Sequence, residues 1–288
     1  MPDLVIPASL AVVVLGLLAS LGWGLADFGG GFASRNSPVL GVLLGSQAAG
    51  LTIGLPILAL GSEPAMGPQD LLIAMGGGVL GATGLALLYR GLSVGRMGVV
   101  APVAAVITAT MPVGFGFLTE GIPSTLAIVG IGCAVLSVLL VSRAPAEADG
   151  RPSGLFYGLA AGVTFGLFTI AASQLADGLV VSPVIVIRIT SSIVVTAWIL
   201  LRREPWRVPR RMWPALLSIG IVDMLATAAY LSAIAVGPIS IAAILGSLYP
   251  VITTILAALV LRERIRLINA AGIVAAGAAV VLIAGAPR

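Results

Sequence analysis

Ten apolar stretches of about 20 residues each run along this 288-residue chain, and short polar breaks separate them. An apolar helix of about 20 residues crosses the ~30 Å hydrocarbon core of a bilayer. Charged residues make up 9% of the chain, far below the roughly 25% of soluble domains. The sequence therefore predicts an all-α polytopic membrane protein with ten transmembrane helices, at approximately residues 9–32, 38–60, 70–92, 97–118, 123–142, 154–175, 180–201, 212–234, 239–261 and 267–285.

The residue types that the chain lacks narrow its chemistry. Histidine is absent, and the one cysteine, Cys133, lies in the fifth predicted span. Because histidine is the commonest metal ligand and the usual general base near neutral pH, we predict no enzyme, no metal site and no cofactor. The sequence pI is about 10.0, but all fifteen basic residues are arginines, mostly in short loops. We therefore expect a lipid bilayer and a small-molecule substrate as partners, no nucleic acid, and a monomer or homodimer.

The loop charges divide between the two faces of the predicted bundle. The loops of one face contain acidic residues: Glu63, Asp70, Glu120 and Asp177. Positive loops stay in the cytoplasm, so the sequence predicts a bacterial-type inner (plasma) membrane protein with both termini outside the cytoplasm. The arginines assigned to the cytoplasmic face are Arg35, Arg90, Arg96, Arg143, Arg151, Arg202, Arg203, Arg207, Arg210, Arg211, Arg262, Arg264 and Arg266.

The two halves of the chain are similar to each other. A shift of 142 residues aligns glycines without a gap, including the pairs Gly16 and Gly158, Gly24 and Gly166, Gly78 and Gly220, and Gly95 and Gly237. Each half holds five spans, and because five is odd the second half enters the membrane from the opposite side. The sequence predicts two five-helix repeats of inverted topology, residues 1–146 and 147–288; the alternative is a chance alignment of glycine-rich and alanine-rich segments.

The last fifty residues carry a family resemblance. The stretch "GPISIAAILGSLYPVITTILAALVLRERIRLINAAGIVAAGAAVVLIAGA" starts at Gly237, and "GRMGVVAPVAAV" starts at Gly95. The chain resembles the ten-helix, EamA-type members of the drug/metabolite transporter superfamily. The elements that carry the resemblance are the Gly237-Pro238 turn, Tyr249-Pro250 in mid-helix, Glu263-Arg264 after that helix, and Gly272 in the last span.

The resemblance implies an exporter of small metabolites. The superfamily includes amino-acid exporters, among them YddG-like exporters of aromatic amino acids, and carriers of nucleotide sugars and sugar phosphates. We expect amino acids to be exported by alternating access through a central cavity. Other metabolites or drugs, of the nucleotide-sugar, purine or cationic type, and a channel are the alternatives. Small four-helix relatives use a glutamate of the first helix for proton coupling, but the first span here has Asp27 near its cytoplasmic end instead.

Two charged residues fall deep inside predicted spans. Arg188 lies roughly 12 Å from the outer end of its span and Asp223 roughly 16 Å from the inner end of the next, at 1.5 Å per residue. A charge at this depth faces a partner, a cavity or a substrate pathway. We predict that the two residues pair near mid-membrane. The pair either holds the helices together or leaves Arg188 to bind the anionic part of a substrate.

Other residues are candidates for the substrate pathway. Gln47 falls near mid-membrane, and Trp23 and Phe165 occupy equivalent positions in the two repeats, while Tyr249 adjoins a mid-helix proline. With Asp27, Arg188 and Asp223 they form the predicted pathway. Packing between helices is the alternative for Gln47 and the two aromatic residues. Tyr89 and Tyr230 lie near span ends, where tyrosines commonly anchor at the membrane interface.

Prolines inside the fourth and ninth predicted spans are candidates for kinks or hinges. Pro102 and Pro112 lie in the fourth span and Pro250 lies at the centre of the ninth. Proline removes a backbone hydrogen bond and kinks a helix, and interrupted helices in both repeats of a transporter mark a binding site or a hinge. We predict kinks or hinges at these positions, with kinks that only serve packing as the alternative.

Overall fold

The computed structural model describes residues 8–94, 97–141, 154–260 and 267–284, and its ordered elements there are all helices. A 3₁₀ turn at Arg210–Met212 precedes the eighth helix. The predicted boundary between repeats, at residues 146 and 147, lies outside the described residues. The helices are α1 (Ala8–Ser34), α2 (Val39–Leu60), α3 (Pro68–Val94), α4 (Met97–Thr119), α5 (Thr125–Val141), α6 (Leu155–Ala172), α7 (Val181–Arg202), α8 (Trp213–Val236), α9 (Ile239–Gly246), α10 (Tyr249–Val260) and α11 (Leu267–Ala284).

The described helices match the predicted spans, with one difference. Six of them, α1 to α3 and α6 to α8, are long and apolar enough to cross a membrane. Shorter apolar segments at Val103–Thr119, Thr125–Ser137, Ile239–Thr253 and Ala270–Ala279 correspond to the other four predicted spans. The ninth predicted span is not one helix, because α9 ends at Gly246 and α10 begins at Tyr249.

The prolines explain where the ninth span divides. Pro250 has no N–H to donate to the carbonyl of Gly246, four residues earlier, and α9 ends at that glycine. By contrast, α4 continues through Pro102 and Pro112 as one helix. Of these two spans, only the ninth is therefore divided into two helices. The side chain of Pro102 lies outside the described part of the chain.

Loops that were predicted to share a face do meet. A Cβ at Gly41, at the start of α2, would overlap the carbonyl oxygen of Trp206 in the loop between α7 and α8. At the opposite end of the bundle, Glu63 after α2 accepts hydrogen bonds at the start of α7. The α1–α2 and α7–α8 loops therefore lie at one end, which we call the arginine face. The α2–α3 and α6–α7 loops lie at the other, which we call the acidic face.

Helices pack against one another in corresponding pairs. The shift of 142 residues relates α1 to α6 and α3 to α8, and the structure packs α1 on α8 and α6 on α3. In the same way α2 contacts α8 while α7 contacts α3, and α4 contacts α6 while α1 contacts α9 and α10. Helices from different halves therefore interlock throughout the described bundle.

Glycines make the closest contacts between these helices. A Cβ at Gly16 would lie 2.9 Å from Leu245 Cβ, and a Cβ at Gly158 would lie 3.1 Å from Val103 Cβ. Both residues of the second contact are related to those of the first by the 142-residue shift. Small residues of this kind let the backbones of membrane helices approach closely. The same close approach is therefore made twice, and each time it joins a helix of one half to a helix of the other.

Gly78→Ala and Gly220→Ala are each expected to destabilise the protein by about 1 to 3 kcal/mol, because the added methyl group overpacks the contact between two helices. A Cβ at Gly78 would lie 2.6 Å from Thr190 Cβ, and its counterpart Gly220 abuts the backbone oxygen of Ser46. Gly76 is the matched control, because a Cβ there meets nothing within 4 Å and alanine favours a helix. Thermal unfolding in detergent measures all three variants. Equal stability of Gly76→Ala and Gly78→Ala would contradict the expectation.

Candidate functional site

A cavity lies in the interior of the bundle and is lined from α1 to α4 and from α6 to α10. Its volume, at the radius of a water molecule, is about 110 Å³. Because one water needs about 10 to 15 Å³ by that measure, the cavity can hold several waters or a small organic solute. All seven residues of the predicted pathway line it: Trp23, Asp27, Gln47, Phe165, Arg188, Asp223 and Tyr249.

Arg188 and Asp223 pair as predicted. The Nη2 atom of Arg188 lies 2.6 Å from Oδ2 of Asp223, and the side chains are 3% and 18% exposed. Arg188 also donates to Oε1 of Gln47 and, at 3.4 Å, to Oγ1 of Thr227. Charge-assisted bonds of this kind are the stronger ones in proteins. The guanidinium therefore joins α2, α7 and α8 at one wall of the cavity.

Further polar groups hold this wall in place. Thr227 donates its hydroxyl to the carbonyl oxygen of Asp223 at 2.8 Å, one helical turn away. Ser191, one turn after Arg188, donates to the carbonyl oxygen of Gly78 in α3 at 2.8 Å. Both hydroxyl residues line the cavity, and neither belongs to the predicted pathway. The spacing of three or four residues from a buried charge, which places two side chains on one helix face, would have identified both.

Asp27 has a different environment from Asp223. It lies in α1, four residues after Trp23 and hence on the same helix face. Among the described residues, none donates a hydrogen bond to the Asp27 carboxylate or forms an ion pair with it, while Asp223 lies close enough to repel it. The cavity therefore has one carboxylate that a guanidinium neutralises and one that no described side chain neutralises.

Aromatic side chains form another part of the wall. The rings of Trp23 and Tyr230 lie 4.8 Å apart at an angle of 56°, and the Tyr230 hydroxyl donates to Oγ1 of Thr169 at 3.1 Å. Phe165 lines the cavity beside them. The expected interface anchors are buried instead, because Tyr89 and Tyr230 are each only 2% exposed. Tyr230 lines the cavity, since it lies on the face of α8 that packs inward.

The break between α9 and α10 also borders the cavity. Gly246, Ser247 and Tyr249 all line it. The Tyr249 hydroxyl is buried and has no hydrogen-bond partner among the described residues. Buried polar groups in proteins almost always have a partner. A divided helix with an unpaired hydroxyl therefore faces the same space as Asp27.

Carboxylates of the first half bind backbone N–H groups of the second half at the acidic face. Glu63 accepts hydrogen bonds from the N–H groups of Val180, Val181 and Ser182, at 3.1, 2.6 and 2.8 Å, and from the Ser182 hydroxyl at 2.8 Å. A carboxylate at a helix N-terminus is favoured by the helix dipole and satisfies N–H groups without helical partners. Partial burial alone would raise the pKa of Glu63, but these hydrogen bonds lower it below its ordinary value.

Two more acidic residues make the same kind of contact. Asp70 accepts from the N–H of Ala176 at 2.9 Å, and Glu120 accepts from the N–H of Ile239, at the start of α9, at 2.9 Å. We call the contacts of Glu63, Asp70 and Glu120 the carboxylate latch. They tie the two halves together at the acidic face. In the described ranges, no three His, Cys, Asp or Glu side chains are placed to hold a metal ion.

Comparisons with known proteins agree with this geometry. Residues 152–285 match the model of the EamA-like transporter family. No curated protein matches the chain. Solved structures do match, and one of them, described only as "Crystal structure of protein", has a TM-score of 0.73 at 17% identity over 94% of this chain and 95% of its own. That structure shows that the whole described bundle follows a fold already observed.

Proposed function

We propose that this chain, which belongs to the drug/metabolite transporter superfamily through its EamA-like half, exports small metabolites, and amino acids in particular. The observation that carries the proposal is the cavity itself, where a buried arginine, two carboxylates and aromatic walls meet inside the bundle. Transporter substrate sites lie near mid-membrane between repeats. Aromatic or other hydrophobic amino acids suit a wall that contains Trp23, Phe165 and Tyr230.

Arg188 is the proposed contact for the carboxylate of the solute. Its Nη2 atom is held by Asp223 at 2.6 Å and by Thr227 at 3.4 Å. A solute carboxylate offers the same two oxygens as Asp223 and can accept the same donors. An exchange of partners at Arg188 would then accompany binding, and Gln47 would keep the guanidinium in place.

Alternating access between two inverted repeats is the proposed mechanism. Residues 1–146 and 147–288 are the proposed repeats, and three observations support them: the glycine register, the reversed loop charges and the equivalent contacts of Gly16 and Gly158. Inverted repeats provide two similar ways to close a central site, one from each side. The proposed hinges are the α9–α10 break at Pro250 and the prolines Pro102 and Pro112 of α4.

The carboxylate latch is the proposed gate of the acidic face. Under the proposed orientation in a bacterial-type inner membrane, the arginine face is cytoplasmic and both termini lie outside. The latch then closes the cavity on the outer side, so that release outward requires its hydrogen bonds to break. A channel, by contrast, needs a polar path that is open at both faces.

Transport by the purified protein in liposomes tests the proposed function. We expect uptake of hydrophobic or aromatic amino acids above that of empty liposomes, with saturation, because a single cavity of limited volume binds the solute. The panel includes nucleotide sugars, purines and lipophilic cations as the competing substrate classes. Movement of those compounds without any amino acid would overturn the substrate assignment, and flux that does not saturate would favour a channel.

A further inference from the structure

The cavity is lined by more acidic than basic side chains. Its acidic and basic residues are Asp27, Arg188 and Asp223. Because Arg188 forms its ion pair with Asp223, Asp27 has no basic residue of the cavity as a partner. Among the described residues, no side chain donates a hydrogen bond to its carboxylate. An ionised carboxylate inside a bundle without a partner is costly, and a cation is the group that relieves the cost.

Tyr249 provides a second, independent sign of an absent ligand. Its hydroxyl is buried, lines the same cavity and has no partner in the described ranges. Asp27 lines the same cavity. A tyrosine hydroxyl can accept an N–H through its oxygen. Both side chains therefore belong to one cavity wall, and neither receives a hydrogen bond from the described residues.

The neighbouring aromatic ring favours the same class of ligand. Trp23 precedes Asp27 by one helical turn, and its ring tilts against Tyr230 at 4.8 Å. The face of a tryptophan ring attracts ammonium groups more strongly than that of any other side chain. The carboxylate of Asp27 and the indole of Trp23 come from α1, and the hydroxyl of Tyr249 comes from α10. Each of these groups can interact favourably with a cationic nitrogen.

We propose that Asp27, Tyr249 and Trp23 form an amine subsite, which requires a positively charged amino group on the transported solute. The ammonium binds the Asp27 carboxylate, the Tyr249 hydroxyl accepts one of its N–H groups, and the apolar body lies along the indole. This inference rests on the proposed function and narrows it. The amine is required, whereas a carboxylate on the solute is an additional contact at Arg188.

Three solutes that share a phenyl ring on a short alkyl chain distinguish recognition of the amine from recognition of the carboxylate. Phenylalanine has both groups, phenethylamine has only the amine, and 3-phenylpropionate has only the acid. Binding to the full-length protein in detergent is measured by calorimetry for each. We expect phenylalanine and phenethylamine to bind at least about tenfold more tightly than 3-phenylpropionate, since a charged hydrogen-bonding partner is lost. Preference for 3-phenylpropionate would overturn the amine subsite and leave carboxylate recognition at Arg188 intact, whereas binding of none of the three would contradict the proposed function as well.

Asp27→Asn tests the carboxylate directly. We expect it to weaken binding of phenylalanine and phenethylamine by about tenfold or more and to leave 3-phenylpropionate unchanged or improved. A general folding defect would instead weaken all three alike. Unchanged affinity of the variant for both amines would overturn the proposal.

Tyr249→Phe separates a ligand contact from a structural one. The hydroxyl has no partner among the described residues, so its removal should leave the melting temperature unchanged or raised, while amine binding weakens roughly threefold. Tyr157→Phe is the control, because it removes a tyrosine hydroxyl outside this cavity and should leave amine affinity unchanged. Loss of stability in Tyr249→Phe with unchanged amine affinity would overturn the role of Tyr249 in the subsite.

Discussion

Arg188→Ala is expected to lower the free energy of unfolding by about 3 to 5 kcal/mol, because it leaves Asp223 inside the bundle without its counter-ion. The guanidinium is 3% exposed and lies 2.6 Å from the carboxylate, and it also donates to Gln47 and Thr227. Asp223→Ala is expected to cost a similar amount, since it leaves the buried arginine unpaired. Chemical unfolding in detergent measures both. Arg207→Ala, in an exposed loop, is the control and should change stability by no more than about 0.5 kcal/mol.

The double variant Arg188→Ala with Asp223→Ala separates structure from transport. Without either charge no ion remains unpaired, and we expect much of the lost stability to return. Transport per folded molecule should stay low, because the solute carboxylate has lost its donors. Normal transport by a well-folded double variant would remove Arg188 from the substrate path and leave it as a structural ion pair.

Glu63→Ala is expected to open the acidic face and to destabilise the protein by about 1 to 3 kcal/mol, since several N–H groups lose a charged acceptor. Gly81→Cys, made in a protein that also carries Cys133→Ala, provides a single thiol that measures the opening. Gly81 is suitable because it lines the cavity and a Cβ there meets nothing within 4 Å. We expect severalfold faster labelling from the acidic face by a membrane-impermeant thiol reagent. Asp177→Asn, an exposed acid of the same face, is the control.

The pH dependence of the latch follows from the lowered pKa of Glu63. A carboxyl whose pKa is lowered by folding contributes stability that is complete above its unfolded pKa, roughly 4.3, and is lost as the pH falls through the folded value. The contribution of Glu63 is therefore intact at neutral pH, begins to fall near the unfolded pKa and is lost below the lower pKa of the folded protein. Equal labelling rates in the wild type and Glu63→Ala at neutral pH would contradict the role of the latch.

Depth along the spans was enough to predict the charged pair, because two ions at the same level of a membrane have few other partners. The glycine register likewise anticipated the equivalent contacts of Gly16 and Gly158. Both inferences follow from the sequence without knowledge of the fold. The seven residues of the predicted pathway line one cavity, and their role in transport stays a prediction.

The features that the sequence could not predict depend on contacts between residues far apart in the chain. The latch joins Glu63 to Val180, Val181 and Ser182 across more than 100 residues, and no local pattern predicts which N-terminus a loop carboxylate will cap. Tyr230 was expected at the interface because of its place near a span end, yet the packing of α8 on α1 and α2 buries it. Whether the Tyr249 hydroxyl has a partner among the described residues depends on the packing of all the helices around the α9–α10 break, and the sequence does not predict that packing.

Protection of the cysteine at Gly81 by a transported solute tests the central claim, that this cavity is the transport site and opens to one face at a time. The labelling rate is measured from each face of oriented vesicles, with and without phenylalanine. We expect saturating solute to slow labelling from either face, with half-protection at the concentration that half-saturates transport. Full transport of phenylalanine with labelling rates that the solute does not change would contradict the claim.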